Sequence, residues 1–126
     1  MKYAVDKKEQ FVVFTIMEEK LDSTLSPQLK SELLTVHAEG YKNLILDMES
    51  VKYADSSGLS ALLVGNRAFN EAGGVFVLSS LQEHVVKLLK ISMLDKVFTV
   101  VDDNEAGAEA IFIHEIENGA EKDEEE

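Results

Sequence analysis

Leu44-Ile45-Leu46-Asp47-Met48 and, after a short connection, Asp55-Ser56-Ser57-Gly58-Leu59 decide how this chain folds. The first stretch is an apolar, strand-like run, and the second opens an amphipathic helical pattern. A strand that feeds a helix through a short turn is the repeating step of an α/β protein. Two hydroxyls followed by glycine at that junction can cap the helix. They can equally stand exposed, where helix N–H groups and the helix dipole favour an added phosphate. The pentapeptide alone leaves both readings open, and caps are the commoner of the two.

Working outward, residues 3–5 and 11–17 carry strand signals around a hairpin loop at 6–10. The second run is apolar on both faces, which predicts an interior place in a sheet. Ser26-Pro27 predicts a helix with serine at its N-cap and proline at its first position. Leu29, Leu33 and Val36 supply that helix's apolar stripe, and Gly40 its end. Residues 41–48 return to strand character. The helix opened by Ser56 or Ser57 runs to Ala72 and stops at Gly73-Gly74. Residues 75–78 read as a buried strand, and Leu81, Val85, Leu88 and Leu89 mark a third helix. Residues 96–101 predict a last strand, and Asn104 the cap of a final helix to about Glu115. The order is β-β-α-β-α-β-α-β-α, an α/β fold with parallel crossovers and one antiparallel hairpin.

Composition bounds what such a domain can do. At 126 residues and 45% hydrophobic content, the chain fits one folded domain. Acids outnumber bases 24 to 12, a net −12 that argues against nucleic acid or an anionic membrane as partner. Residues 117–126 hold net −5 of this and read as a disordered acidic tail beyond a 1–116 domain, leaving the body at −7. Without cysteine there is no disulfide, thiolate nucleophile or zinc thiolate site. The N-terminus lacks an apolar signal core, and the longest apolar run is too short to cross a bilayer. These features predict a cytoplasmic protein that does not insert into membranes.

Catalytic constellations are absent from the sequence. His37, His84 and His114 fall on separate predicted helices, read as surface residues, and show no metal-ligand spacing. The adjacent acids Glu18-Glu19 and Asp102-Asp103 do not converge on one substrate atom. No Gly-x-Ser-x-Gly elbow or phosphate-cradling loop with lysine occurs. Met17, Met48 and Met93 are expected to fill the core. A small hydrolase or ligand-binding domain is therefore a poor reading. On the helix after the motif, Leu59, Leu62, Leu63 and Phe69 share an apolar stripe. Ser60, Val64, Arg67 and Glu71 fall opposite, in line with Ser56, so Val64 is an apolar residue on a face expected to be solvated.

With these residues in hand, the chain resembles the STAS domains, and within them the small free-standing anti-sigma factor antagonists. The resemblance covers about residues 3–112 and rests on three anchors. They are Leu21-Asp22-Ser23, the two stretches quoted first, and Gly73-Gly74 with its following strand and a helix ending near Ile91-Ser92-Met93-Leu94. It implies a mixed sheet of about five strands with about four helices packed against it. It also implies a non-enzymatic protein-binding module. By resemblance, Ser56 is phosphorylated by a partner that is both serine kinase and anti-sigma factor, with Ser57 the lesser candidate. The unphosphorylated form binds that partner, phosphorylation releases it, and a separate phosphatase resets the cycle. Asp22 falls where the family places an acid near the phosphoacceptor. Ser23, Asp55, Ser57, Gly58, Ser60, Val64 and Arg67 complete the expected partner face. The nucleotide and its metal belong to the kinase, so no cofactor or metal is expected here. One departure is Glu19-Lys20, where many members carry glycine before the Leu-Asp pair, so the loop at Asp22 can differ in shape. The alternative within the same fold is a subunit that docks on a transporter ATPase without a phosphate cycle.

The phosphate's effect is bounded by charge. It adds about −1.5 to −2 to an already acidic body. Arg67, the only arginine, lies about three helical turns from Ser56 and cannot clamp it. Such a phosphate acts by placing charge and bulk where a partner must seat.

Overall fold

Strands β1 (Tyr3–Lys7) and β2 (Val12–Ile16) pair antiparallel, Tyr3 opposite Ile16 and Lys7 opposite Val12. The computed structural model describes the chain from Met1 to Glu125, with side chains up to Asn118. After the hairpin come β3 (Lys20–Leu21), α1 (Ser26–Ala38), β4 (Leu44–Asp47), β5 (Tyr53–Ala54) and α2 (Ser56–Glu71). Then follow β6 (Phe76–Ser79), α3 (Glu83–Ile91), β7 (Thr99–Val101) and α4 (Asn104–Glu125). Five strands form one sheet in the order β1-β2-β4-β6-β7, with every pair after the hairpin parallel. The expected mixed sheet of five strands with four helices is thus the observed fold. Helix α4 runs past the end expected near Glu115 and into the stretch expected as a disordered tail; only residue 126 lies outside the described backbone.

Each crossover steps one strand further in the same direction. Right-handed connections then lay α1, α2 and α3 on one face. Phe14, Leu46 and Leu78, cross-strand neighbours in register, point into this main core with Leu29, Leu33, Leu62, Phe69 and Leu89. The opposite face presents Ile45 and Val77, which α4 covers through Ile111. Helix α4 lies close because Gly107 has no Cβ; one built there would stand 3.0 Å from the Cδ1 of Ile45.

Helix ends repay close reading. In α2, Gly73 N–H bonds to the Asn70 carbonyl and Gly74 N–H to the Phe69 carbonyl, both at 3.0 Å, with Gly73 at φ +85°. This is the paired terminal geometry in which a left-handed residue closes the helix. Helix α3 ends the same way, Met93 N–H to the Lys90 carbonyl and Leu94 N–H to the Leu89 carbonyl. Here the left-handed residue is Met93, at φ 60°. Gly74 is held tighter still, since a Cβ there would fall 1.7 Å from the Lys42 carbonyl oxygen.

Several sequence expectations are corrected. Met48 is buried, but Met17 is 52% and Met93 83% exposed: Met17 lies beyond the end of β2, and Met93 is turned out by its left-handed backbone. His37 is half-buried, packing edge-on against Phe69, so it is not a free surface residue. His114 is also half-buried, its Nε2 at 2.9 Å from the Gly73 carbonyl. Ser26 is the first residue of α1 and no cap: Leu25 occupies the N-cap without a side-chain bond. The final helix is capped by Asp103, whose Oδ1 accepts Ala106 N–H at 2.8 Å. Asn104 instead turns its amide to Asp47 Oδ2 and accepts from the Ser79 hydroxyl. The hairpin loop is shorter than expected because Asp6 and Lys7 pair in β1, and the last strand begins only at Thr99.

Candidate functional site

The two-residue strands β3 and β5, invisible to periodicity, build the site. They pair parallel with Leu21 opposite Ala54. Asp22 and Asp55, the next residue on each, are therefore set side by side, and Asp55 N–H bonds back to the Leu21 carbonyl at 3.2 Å. The sequence anchors Leu21-Asp22-Ser23 and Asp55-Ser56-Ser57 are thus brought together in space.

Each aspartate then folds back on its own chain in the same manner. Asp22 Oδ1 accepts Thr24 N–H at 3.0 Å and the Thr24 hydroxyl at 2.5 Å. Asp55 Oδ1 accepts Ser57 N–H at 3.0 Å and the Ser57 hydroxyl at 2.5 Å. These are paired Asx-type turns, favoured because a short carboxylate reaches the N–H two residues on. Asp55 also accepts Gly58 N–H at 3.1 Å and is the N-cap of α2, in extended backbone. The cap that the two hydroxyls could have supplied thus belongs to Asp55.

Hydrogen bonding sets the charge state. The Ser57 hydroxyl first, then the Gly58 N–H, hold the Asp55 carboxyl below the ordinary aspartate range, against partial burial. The Thr24 hydroxyl and N–H do the same for Asp22, opposed by burial and by the Asp55 charge. Both are ionised at neutral pH and are weak bases.

Hydroxyl protons are also accounted for. The buried Ser26 hydroxyl lies 2.7 Å from the Asp22 carbonyl and 3.1 Å from the Ser57 hydroxyl. Three oxygen contacts share two protons. The bond to an ionised acceptor is the stronger, so the Ser57 proton goes to Asp55 and the Ser26 proton to the Asp22 carbonyl. Ser57 is half-buried and committed. Ser56 is exposed, and no partner for its hydroxyl is found among the described residues.

The other expected face residues divide. Ser23 and Arg67 are exposed, while Ser60 and Val64 are half-buried on α2, so Val64 is less open than the helical wheel suggests. Gly58 is buried, and a Cβ there would stand 2.6 Å from the Leu21 carbonyl oxygen. It lets α2 approach β3 and shapes the face from beneath. Sequence reading missed Thr24 and the tie of Ser26 to Ser57. The signal available for Thr24 was the repeated Asp-Ser-hydroxyl triplet, Asp22-Ser23-Thr24 and Asp55-Ser56-Ser57. Among the described residues no cluster of three or more metal-ligating side chains occurs, and no helix is long and apolar enough to cross a membrane.

The chain is similar to known proteins in sequence and in fold. BtrV of Bordetella bronchiseptica, assigned as an anti-sigma factor antagonist, is 28% identical over 110 residues, covering 87% of this chain and 94% of BtrV. A Thermotoga maritima protein with the same assignment has a crystal structure of TM-score 0.79 at 22% identity, covering 86% of this chain and 93% of that one. The phosphorylated form of SpoIIAA, a Bacillus cell fate determinant, gives TM-score 0.67 at 20% identity, covering 86% and 99%. At these identities the solved structures bear on fold alone. The STAS domain model matches residues 2–108, and with that match spanning most of its length the chain belongs to the STAS domain family.

Proposed function

We propose that this domain is an anti-sigma factor antagonist whose binding to a kinase/anti-sigma factor is switched off by phosphorylation of Ser56. One observation carries the reading: of the two adjacent hydroxyls at the head of α2, Ser56 is exposed and unengaged, whereas the Ser57 proton is held by Asp55. In the transfer, Ser56 Oγ bonds to the γ-phosphorus of ATP on the partner as the bond to ADP breaks. The hydroxyl proton passes to the partner's base, since the Asp22 and Asp55 carboxylates already accept from Thr24 and Ser57.

The phosphate gains little from its own chain. Asp55 already occupies the Ser57 and Gly58 N–H groups that a helix N-terminus would offer an anion. Two ionised aspartates flank the position and repel it. The group therefore projects outward, where it blocks a partner seated over Ser56, Ser60, Val64 and Arg67.

The test is phosphorylation by an anti-sigma-type serine kinase with ATP, mapped by mass spectrometry, beside binding to that kinase. Ser56 is expected to be the principal phosphosite, not Ser57, and Ser56→Asp to weaken binding with the fold intact by circular dichroism. Phosphate mapped mainly to Ser57 would refute the assignment. Docking on a transporter ATPase with no phosphate incorporated would favour a fixed subunit instead.

A further inference from the structure

The site contains a second hydroxyl in the same setting as Ser56. In each Asp-Ser-hydroxyl triplet the aspartate takes the N–H and the hydroxyl of the third residue, at 3.0 and 2.5 Å in both copies. In each the middle serine is exposed, with no hydroxyl partner among the described residues. The parallel register of Leu21 with Ala54 sets the two triplets side by side and pointing the same way. Each leads into a helix on the same face of the sheet, α1 from Ser26 and α2 from Ser56.

We propose that Ser23 is a second phosphoacceptor of this domain, presented to the same kinase as Ser56 by a duplicated turn. The proposal rests on the phosphoswitch reading above. A kinase recognises an acceptor by the backbone it can seat and by a hydroxyl free to give up its proton. Ser23 meets both conditions as Ser56 does, whereas Thr24 and Ser57 have committed their protons to carboxylates. The chemistry balances as at Ser56: Ser23 Oγ bonds to the γ-phosphorus of ATP, ADP leaves, and the proton goes to the kinase's base.

The two sites are not independent. Asp22 and Asp55 already feel each other's charge. A phosphate on either serine adds about −1.5 to −2 charges beside the other acceptor, so the second transfer is slower than the first. The pair makes a graded switch, with unmodified, singly and doubly modified forms of successively lower affinity for the partner.

The experiment uses the full chain, the anti-sigma-type serine kinase that labels it, ATP and intact-mass spectrometry with site mapping. Wild type should pass through one phosphate to two, the second appearing more slowly. Ser56→Ala should retain one phosphate, on Ser23, and Ser23→Ala one, on Ser56. The double variant should take none. Both substitutions are at exposed positions, and circular dichroism checks their fold. Wild type that stops at one phosphate on Ser56, with Ser56→Ala unlabelled, would overturn the Ser23 site and leave the Ser56 switch standing. Wild type left unlabelled by every such kinase would overturn both.

Discussion

At the residue scale the motif was legible, but its division of labour was not. A hydroxyl pair after aspartate at a strand–helix junction can be read from sequence. Which hydroxyl stays free depends on Asp55 turning back on Ser57, and on Ser26 arriving from α1. Nothing in residues 53–58 alone announces Ser26. The charge on Asp55 has a consequence for stability. Its carboxyl lies below the ordinary value of 3.8, so its contribution is complete above that pH and is lost as pH falls through the lower, folded-state value. Asparagine caps as well as aspartate but cannot titrate. Asp55→Asn should therefore melt below wild type at neutral pH, with the gap closing under more acidic conditions than pH 3.8. Thermal melts across that range check it, and a gap independent of pH would mean that the charge contributes nothing.

Among the elements, the long periodic ones were legible and the short ones were lost. Helix α2 followed its apolar stripe to the glycine pair, but Ala61 and Gly65, also buried, escaped it because small residues carry little hydropathy signal. Strands β3 and β5 are two residues each, below any period, yet they place both aspartates. The end of α3 falls near Ile91 as expected, but Met93 just beyond it misled for a physical reason. Glycine normally announces a left-handed stop, and methionine there reads as core. A left-handed L-residue costs about 1–2 kcal/mol, part of which glycine returns as chain entropy. Met93→Gly should therefore stabilise the domain by roughly 0.5–1 kcal/mol, raising Tm by a few degrees. The side chain is 83% exposed, so little packing is lost in exchange. A lower Tm would show that the methionine makes a contact worth more than its backbone strain.

At the scale of the whole molecule, strand–helix alternation was enough to predict a parallel sheet with one hairpin. It could not say which helix covers which face, because that follows from strand order and not from any single segment. Nor did it single out Asn43, which is buried just before the first residue of β4. Its Oδ1 accepts Val75 N–H at 2.9 Å, and its amide donates to the Gln10 carbonyl and to Glu115 of α4. The steady march of β2-β4-β6-β7 places α1, α2 and α3 together and leaves the other face to the last helix alone. During synthesis the chain emerges N-terminus first, and by residue 101 it has made every strand and one complete side of the protein. Ile45 and Val77 then face water until α4 is released from the ribosome. The nascent chain thus passes through a half-clad stage that invites chaperones or sticks to its neighbours. A chain ended after Asp102 should hold that stage indefinitely, binding a hydrophobic dye and aggregating where the full chain does neither. A dye-negative, monomeric truncation would mean that the bare face can be closed without α4.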